Sequence, residues 1–327
     1  MPGPAQIAGE VQAAFQLPAV SHRSADFIRR FEAVRSRLRG VTGAPHVALF
    51  QGSGTLANDA IASCLSGEGV ILVNGEFGRR IAQQAARWEL PVRILEWPWG
   101  TSWDLDQVRA QVGSARWIWG VHLETSTGML NDIRGLARVA REAGARLCLD
   151  CISSLGSVPF DLRDVWLASG VSGKSLGSYT GMAFVFASEV PRPAHPVPAY
   201  LDVAETIRTE GPRFTFSSPL LFALDRALEM QYEYARLGGL VREGLQQVGV
   251  TPLVEESVAA PTVTTFASPG SAFLARCHAL GYAVGGESDY MLARNLVQIA
   301  TMGAVNAQHI ENFFAHWESL SAKASAA

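Results

Sequence analysis

The sequence predicts an α/β protein with a large, mainly parallel sheet sandwiched by helices and a small C-terminal α+β unit. Between residues 46 and 188, short apolar segments alternate with helix-length amphipathic segments, a pattern typical of right-handed βαβ crossovers. After residue 238 two apolar segments lie among three helical ones. We therefore predict an N-terminal arm at residues 1–17 that packs with the small domain, a large domain at 18–237 and the small domain at 238–327.

Composition favours an ordinary globular enzyme. The 327 residues are 48% hydrophobic and 17% charged, and the net charge of −3 gives no electrostatic footprint for nucleic acid or an anionic membrane. No apolar run approaches the roughly 20 residues that span a bilayer, and the N-terminal stretch lacks the basic start and apolar middle of a signal peptide. We expect a cytoplasmic enzyme acting on small molecules, with no nucleic-acid or membrane partner.

The cysteines and histidines predict neither a disulfide scaffold nor a metal site. Cys148 and Cys151 form a C-x-x-C pair at the end of an apolar segment, but strand positions three apart face opposite sides and no second pair completes four ligands. The histidines include no pair four residues apart. Packing in the core is the predicted role of both cysteines.

Two helices lie outside the central alternation. For residues 24–40 we predict a helix that begins after Ser24 as N-cap and ends at Gly40. Residues 212–237, PRFTFSSPLLFALDRALEMQYEYARL, predict the start of one long helix.

The first βα unit, residues 46–65, contains a candidate phosphate site. An apolar strand is followed by Gly-Ser-Gly-Thr and then by an amphipathic helix. Free N–H groups at a helix N-terminus bind anions, and glycine lets a phosphate approach closely. Ser53, Gly54 and Thr55 are therefore predicted to hold a phosphate; a plain strand-to-helix turn is the alternative.

Three further units continue the alternation. Residues 70–88 place Phe77 at a helix start, where the residues alone favour a core position. Residues 92–112 form the next unit, and residues 116–144 contain the segment ETSTG, with Thr125 at the mouth of the crevice that open α/β sheets form.

A carboxylate and an amine follow on successive strands. The apolar segment ARLCLD ends in Asp150, and Lys174 lies in a turn rich in glycine and serine. Open α/β sheets bind ligands at the carboxyl ends of their strands. The pair suits pyridoxal phosphate, for which the lysine forms a Schiff base and the acid keeps the pyridine nitrogen protonated. For Asp150 alone, a strand-end cap or ion-pair partner is the alternative.

The chain resembles the class V, fold-type I aminotransferases, the group of the alanine–glyoxylate, serine–glyoxylate and 2-aminoethylphosphonate–pyruvate transaminases. The resemblance extends from PGP at residues 2–4 through HRS at 22–24 to QIATMG at 298–303. It implies a pyridoxal phosphate enzyme that moves an amino group between a small amino compound and a 2-oxo acid such as pyruvate or glyoxylate. It also implies a homodimer with shared active sites. A lyase or desulfurase on the same scaffold stays open.

The resemblance implies further roles for single residues. Phe77 is expected to stack on the cofactor ring, and Thr125 to place a hydroxyl on its phenolic oxygen. Thr215 is expected to reach the phosphate of the neighbouring subunit, whereas His22 and Arg23 are expected on the substrate side.

Two positions depart from the family pattern. Gly173 stands before the lysine where a polar amide is usual, and Gln298 stands where an arginine usually grips the substrate carboxylate. A bidentate guanidinium–carboxylate pair contributes charge-assisted bonds of roughly 1.5–3 kcal/mol each, which a neutral amide does not replace. Either Arg23, Arg276 or Arg294 binds the acid group, or the donor is an ω-amino acid, an aminophosphonate or another unusual amine.

A P-loop protein is the rival class. Residues 168–175, ASGVSGKS, fit the loose Walker-A pattern, which requires an amphipathic helix directly after the lysine. The segment MAFVFAS predicts a strand there instead. A nucleotide-binding or purely structural Rossmann-like module is a third class, but the sequence contains no GxGxxG.

Overall fold

The computed structural model describes residues 2–322. Its strands are β1 (His46–Gly52), β2 (Gly69–Val73), β3 (Val92–Glu96), β4 (Trp117–Val121), β5 (Leu123–Glu124), β6 (Met129–Leu130), β7 (Arg146–Asp150), β8 (Leu167–Val171), β9 (Gly181–Ala187), β10 (Val263–Ala267) and β11 (Leu296–Ala300). Its α-helices are α1 (Gly9–Phe15), α2 (Ala25–Thr42), α3 (Gly54–Ala62), α4 (Glu76–Arg87), α5 (Leu105–Gln111), α6 (Ile133–Glu142), α7 (Val203–Arg208), α8 (Ser218–Ala227), α9 (Tyr234–Gln247), α10 (Phe273–Ala279), α11 (Asp289–Leu292), α12 (Ala307–Ala315) and α13 (Trp317–Ser321).

Seven strands form the central sheet, in the order β1-β9-β8-β7-β4-β2-β3. The pairs from β8 to β3 are all parallel, whereas β9 runs antiparallel to both β8 and β1. Strands β2, β4 and β8 are buried along their whole length, which is why they appear in the sequence as continuous apolar runs. The predicted mainly parallel sheet is confirmed.

Apolar side chains cover both faces of this sheet. One cluster packs α2 and α6 on one face, and a second packs α3 and α4 on the other. Cys148 belongs to the second cluster and Cys151 to the first, and both thiols are free and fully buried. The prediction that these cysteines face opposite sides and serve packing is confirmed.

The C-terminal part is built on the antiparallel pair β10–β11. Helices α9, α10, α12 and α13 contribute to one apolar cluster on this pair, which includes Phe266, Phe273 and Trp317. Position 238 lies inside α9, and the division of the chain into three parts stays a prediction.

The predicted end of the first long helix is wrong by two residues. Helix α2 begins after Ser24, whose hydroxyl accepts a hydrogen bond from the N–H of Phe27, as predicted. It passes through Gly40 and ends at Thr42 because Gly43 adopts a left-handed φ of 71° and its N–H donates to Arg39 O.

The prediction of one long helix from residue 212 is also wrong. Helix α8 ends at Ala227 and α9 begins at Tyr234, with residues 228–233 outside both helices. The interruption brings Tyr232 and Tyr234 together as a stacked pair with ring centres 5.3 Å apart. The hydroxyl of Tyr234 donates to Ser175 O at 2.7 Å, so the break lets the chain anchor the segment that carries Lys174.

Neither a membrane-spanning helix nor a cluster of metal-binding side chains is present within residues 2–322. No helix within residues 2–322 is long and apolar enough to cross a membrane. In the same part of the chain, no group of three or more His, Cys, Asp or Glu side chains could hold a metal ion.

Candidate active site

Strand β7 delivers Asp150 to the carboxyl edge of the central sheet. The side chain is 5% exposed, and its two oxygens accept separate hydrogen bonds at 2.9 Å from Asn58 Nδ2 and from the N–H of Ile152. Burial raises the pKa of Asp150, whereas those two hydrogen bonds and the charge of Lys174 act in the opposite direction. The carboxylate is therefore fixed in orientation and has a cationic neighbour.

Lys174 lies in an irregular turn between β8 and β9. Residues 172–180 contain no helix, and β9 follows directly. A P-loop needs a helix N-terminus at this point to hold phosphates, so the ATP- or GTP-binding alternative is wrong.

The environment of the Lys174 amine makes it easier to deprotonate than an ordinary lysine. Burial lowers its pKa to about 8, the charge of Asp150 raises it, and the charge of Arg80 lowers it. The amine donates to Pro2 O at 2.5 Å, and a side chain added at Gly3 would lie 2.7 Å from it. The PGP segment therefore lies directly against the lysine.

A cavity of about 320 Å³ joins the two groups. It is lined by Gly54, Thr55, Asn58, Phe77, Arg80, Gln83, Gln84, Arg87, Asp150, Ile152 and Lys174. At one end lies the N-terminus of α3, where the N–H groups of Gly54 and Thr55 have no partner within residues 2–322. The cavity thus brings together five of the predicted site residues.

The other predicted site residues lie outside the lining of this cavity. The Ser53 carbonyl accepts the N–H of Leu56 at the start of α3. The Thr125 hydroxyl is buried and donates to Ser153 Oγ at 2.6 Å. Their roles stay predictions, as do those of the exposed Thr215, the half-buried His22 and the exposed Arg23.

Gln298 is 1% exposed and faces the protein interior. Its Nε2 donates to Thr125 O and, at 2.7 Å, to Thr265 Oγ1. Both hydrogens of the amide are therefore used within the chain, and the residue ties β11 to the segment that holds Thr125. Its predicted part in substrate binding is untested.

The two other arginines considered for the acid group are occupied elsewhere. Arg276 donates to the carbonyls of Leu320 and Ala322 near the C-terminus. The guanidinium of Arg294 stacks 3.7 Å from the ring centre of Trp99. Neither lines the cavity.

Glu124 holds the start of helix α4, and with it Phe77. The carboxylate is fully buried and accepts hydrogen bonds from the N–H groups of Phe77 and Gly78, each at 3.1 Å. It also accepts the N–H and hydroxyl of Ser126. Burial raises the pKa of Glu124, and these hydrogen bonds act against that shift. The turn containing Thr125 and the helix carrying Phe77 are thereby joined.

Sequence reasoning missed Asn58 and Arg80 as residues of the site. Asn58 is a buried amide on an otherwise apolar face of α3, and that position is a usable signal because buried polar groups need partners. Arg80 lies one turn after Phe77, but on the sequence alone it is an ordinary charged residue of an amphipathic helix.

The family model described as aminotransferase class V matches residues 8–197, more than half of the chain. This chain belongs to the class V aminotransferases. The 2-aminoethylphosphonate–pyruvate transaminase of Pseudomonas putida (strain W619) is 31% identical over 255 residues, which cover 69% of this chain and 68% of that protein. The predicted family, its pyridoxal phosphate cofactor and the aminotransferase class of the enzyme are confirmed.

Solved structures confirm the fold-type I architecture. The alanine–glyoxylate aminotransferase of Nostoc sp. superposes with a TM-score of 0.88 at 26% identity, covering 98% of this chain and 93% of that one. An aspartate aminotransferase of subgroup IV from Thermus thermophilus gives a TM-score of 0.87 at 24% identity over 98% and 97% of the two chains. At that identity the second likeness concerns the fold alone.

The residues of this aminotransferase fit pyridoxal phosphate. The unpaired amides of Gly54 and Thr55 suit its phosphate, Phe77 offers an aromatic ring, and the fixed carboxylate of Asp150 suits a protonated ring nitrogen. Lys174 supplies an amine whose lowered pKa favours covalent attachment. These four features lie together in one cavity.

Proposed function

We propose that this class V aminotransferase moves an amino group from a small amino compound to a 2-oxo acid such as pyruvate or glyoxylate, with Lys174 holding the cofactor as a Schiff base. The observation that carries the proposal is the shared cavity of Lys174, Asp150 and the unpaired N-terminus of α3. The 2-oxo acids named are those in the names of the related transaminases.

Each residue has a distinct role in this proposal. Pyridoxal phosphate, when bound, supplies a ring that accepts electrons from the bonds of the substrate's amine-bearing carbon. Asp150 holds the proton on the ring nitrogen, and the N-terminus of α3 binds the phosphate. The Nζ of Lys174, once free, removes the proton from the amine-bearing carbon and delivers it to the cofactor, since an amine with a pKa near 8 gives up and accepts protons close to neutral pH.

Sulfur transfer is a less favourable use of the same scaffold. A cysteine desulfurase from Thermococcus onnurineus shares the fold, with a TM-score of 0.78 at 14% identity over 96% and 92% of the two chains. Sulfur chemistry requires a reactive thiolate. All four cysteines are buried, and burial raises the pKa of each thiol. The transaminase assignment is therefore preferred.

A homodimer is part of the proposal. Thr215 is exposed and lies outside the cavity of its own chain, and the neighbouring Phe214 is 40% exposed. An interface at this segment would cover the phenyl ring and carry Thr215 to the partner's phosphate. Light scattering should give twice the mass of the chain, and Thr215→Val should weaken cofactor binding relative to Thr251→Val. A monomeric, fully active holoenzyme would contradict this assembly.

The central experiment is a donor panel with the holoenzyme. α-Amino acids, ω-amino acids and 2-aminoethylphosphonate are each incubated with pyruvate or glyoxylate, and formation of the new amino acid is measured. At least one pair should turn over, and Lys174→Ala should abolish both turnover and borohydride trapping of the cofactor. A trapped adduct in Lys174→Ala would show that another residue holds the cofactor.

A further inference from the structure

The cavity contains positive charge in addition to that of Lys174. Besides Lys174 it is lined by two arginines of α4, Arg80 and Arg87. Gln298, which stands where the family has its substrate-binding arginine, is neutral and donates both amide hydrogens to the protein. A positive charge that binds an acid group of the substrate must therefore come from a helix or strand other than β11.

Arg80 has a free donor edge and a fixed orientation. Its Nε donates to Glu76 Oε1 at 3.0 Å, and within residues 2–322 its two Nη groups have no hydrogen-bond partner. The guanidinium carbon lies 5.0 Å from the ring centre of Phe77 and 5.6 Å from that of Tyr290. Contacts of this kind hold a guanidinium by cation–π attraction while its edge stays available for an oxyanion.

Arg87 lacks such support. Both arginines are exposed, but no hydrogen bond or ring contact holds the Arg87 side chain within the described residues. Ordering a free arginine on binding costs side-chain entropy, and the contacts of Arg80 with Glu76, Phe77 and Tyr290 reduce that cost. The charge of Arg80 also acts on Lys174, which places it close enough to influence a group bound next to the reactive amine.

Resting on the proposed function, we propose that Arg80 binds the acid group of the amine substrate, so that a carboxylate or phosphonate is recognised by helix α4 instead of strand β11. The two Nη groups form a fork that matches two oxygens of either acid. Tyr290, from α11, packs against the same guanidinium and so couples the C-terminal part of the chain to acid binding.

Binding of unreactive acids tests this without turnover. Propionate and ethylphosphonate carry no amino group, and their affinity for the holoenzyme is measured by calorimetry. Arg80→Ala should weaken binding of the preferred acid about 10- to 100-fold, as expected for the loss of a charge-assisted pair. Arg80→Lys should recover part of the affinity. Arg79→Ala, which breaks only an exposed pair with Glu96 on the same helix, is the matched control and should bind normally.

Kinetics supply the second readout. With the donor found in the panel, Arg80→Ala should raise KM by about the same factor as Kd. Unaltered acid binding in Arg80→Ala would overturn the proposal. So would a loss of pyridoxal phosphate affinity, which would assign Arg80 to the cofactor. If no donor turns over, the proposed function fails, while calorimetry still decides the role of Arg80.

Discussion

The hydroxyl of Tyr234 donates a 2.7 Å hydrogen bond to the carbonyl of Ser175, the residue after Lys174. The same hydroxyl accepts the N–H of Gly303 at 3.0 Å. One buried side chain thus joins the lysine turn, the start of α9 and the segment after β11. We expect this contact to hold the lysine in place for catalysis.

Tyr234→Phe should therefore reduce both stability and activity. Two buried backbone groups lose their partner, at a cost of about 1–3 kcal/mol, and the Lys174 turn gains freedom. Urea denaturation measures the first effect, and the rate of cofactor attachment to Lys174 measures the second. Tyr282→Phe, which removes only an exposed contact with His316, is the control. Unchanged attachment kinetics in Tyr234→Phe would show that the turn is rigid without it.

The lowered pKa of Lys174 predicts how the cofactor-free protein responds to pH. Burial brings the pKa from 10.5 to about 8, so between these values the unfolded chain binds more protons than the folded one. Stability should then rise with pH through this window. Lys174→Met removes the group, and at pH 7 it should stabilise the cofactor-free protein by up to about 3 kcal/mol.

The gain from Lys174→Met should shrink as the pH approaches 10.5, and thermal unfolding at a series of pH values measures it. Reaction of the native amine with an acylating reagent should have its midpoint near pH 8. A midpoint at the ordinary lysine value would mean that water reaches the amine freely.

The buried carboxylate of Glu124 predicts a coupling between folding and cofactor binding. Glu124→Gln places an NH₂ group among the N–H donors of Phe77, Gly78 and Ser126, so at least one donor is left unpaired. We expect a loss of about 1–3 kcal/mol in unfolding free energy and weaker cofactor binding, because Phe77 loses its anchor. Glu96→Gln, at an exposed ion pair, should change neither quantity by much.

Much of this site follows from rules that act locally along the sequence. Strands that are buried on both faces give continuous apolar runs, and their carboxyl ends gather at one edge of the sheet. The sequence alone therefore predicts that Asp150, Lys174 and the Gly54-Thr55 turn share one crevice, and they line one cavity.

The remainder depends on contacts between distant positions. Gln298 meets Thr125 across 173 residues of sequence, and Glu124 meets Phe77 across 47. Arg80 has the periodicity of an exposed helix face, and it differs from Arg79 in the structure by lining the cavity and by contacting Phe77 and Tyr290. Likewise, the break between α8 and α9 allows Tyr234 to donate to Ser175 O, 59 residues earlier in the chain, a contact that no local propensity encodes.

Asp150→Asn should retain the cofactor and slow proton removal from the substrate. The amide cannot carry the charge that keeps a ring nitrogen protonated, and its NH₂ group would face Asn58 Nδ2 or the N–H of Ile152, both of which are donors. We expect the first half-reaction to slow on the order of 100-fold or more, measured in single turnovers. Asp132→Asn, which keeps the capping oxygen of α6, is the control. Normal rates with the cofactor still bound would rule out this role for Asp150.

Gln298→Arg tests whether the family's usual acid site can be restored. An arginine at this position can still donate hydrogen bonds to Thr125 O and Thr265 Oγ1. It also places a positive charge at a position that is only 1% exposed. The variant should therefore be less stable without substrate, because an unpaired buried charge is costly. A bound α-carboxylate would neutralise that charge, so the variant should use L-alanine better than the wild type does.

The comparison that decides this prediction is the ratio of kcat/KM for L-alanine to that for the preferred donor. Gln298→Arg should raise the ratio about tenfold or more, the expected gain from one charge-assisted pair. Gln298→Met, which removes the amide without adding a charge, should lower stability and leave the ratio unchanged. Efficient use of L-alanine by the wild type, with no gain from the arginine, would mean that another cation already binds the α-carboxylate. In that case, Arg80→Ala should abolish this use of L-alanine, which would place its binding at α4.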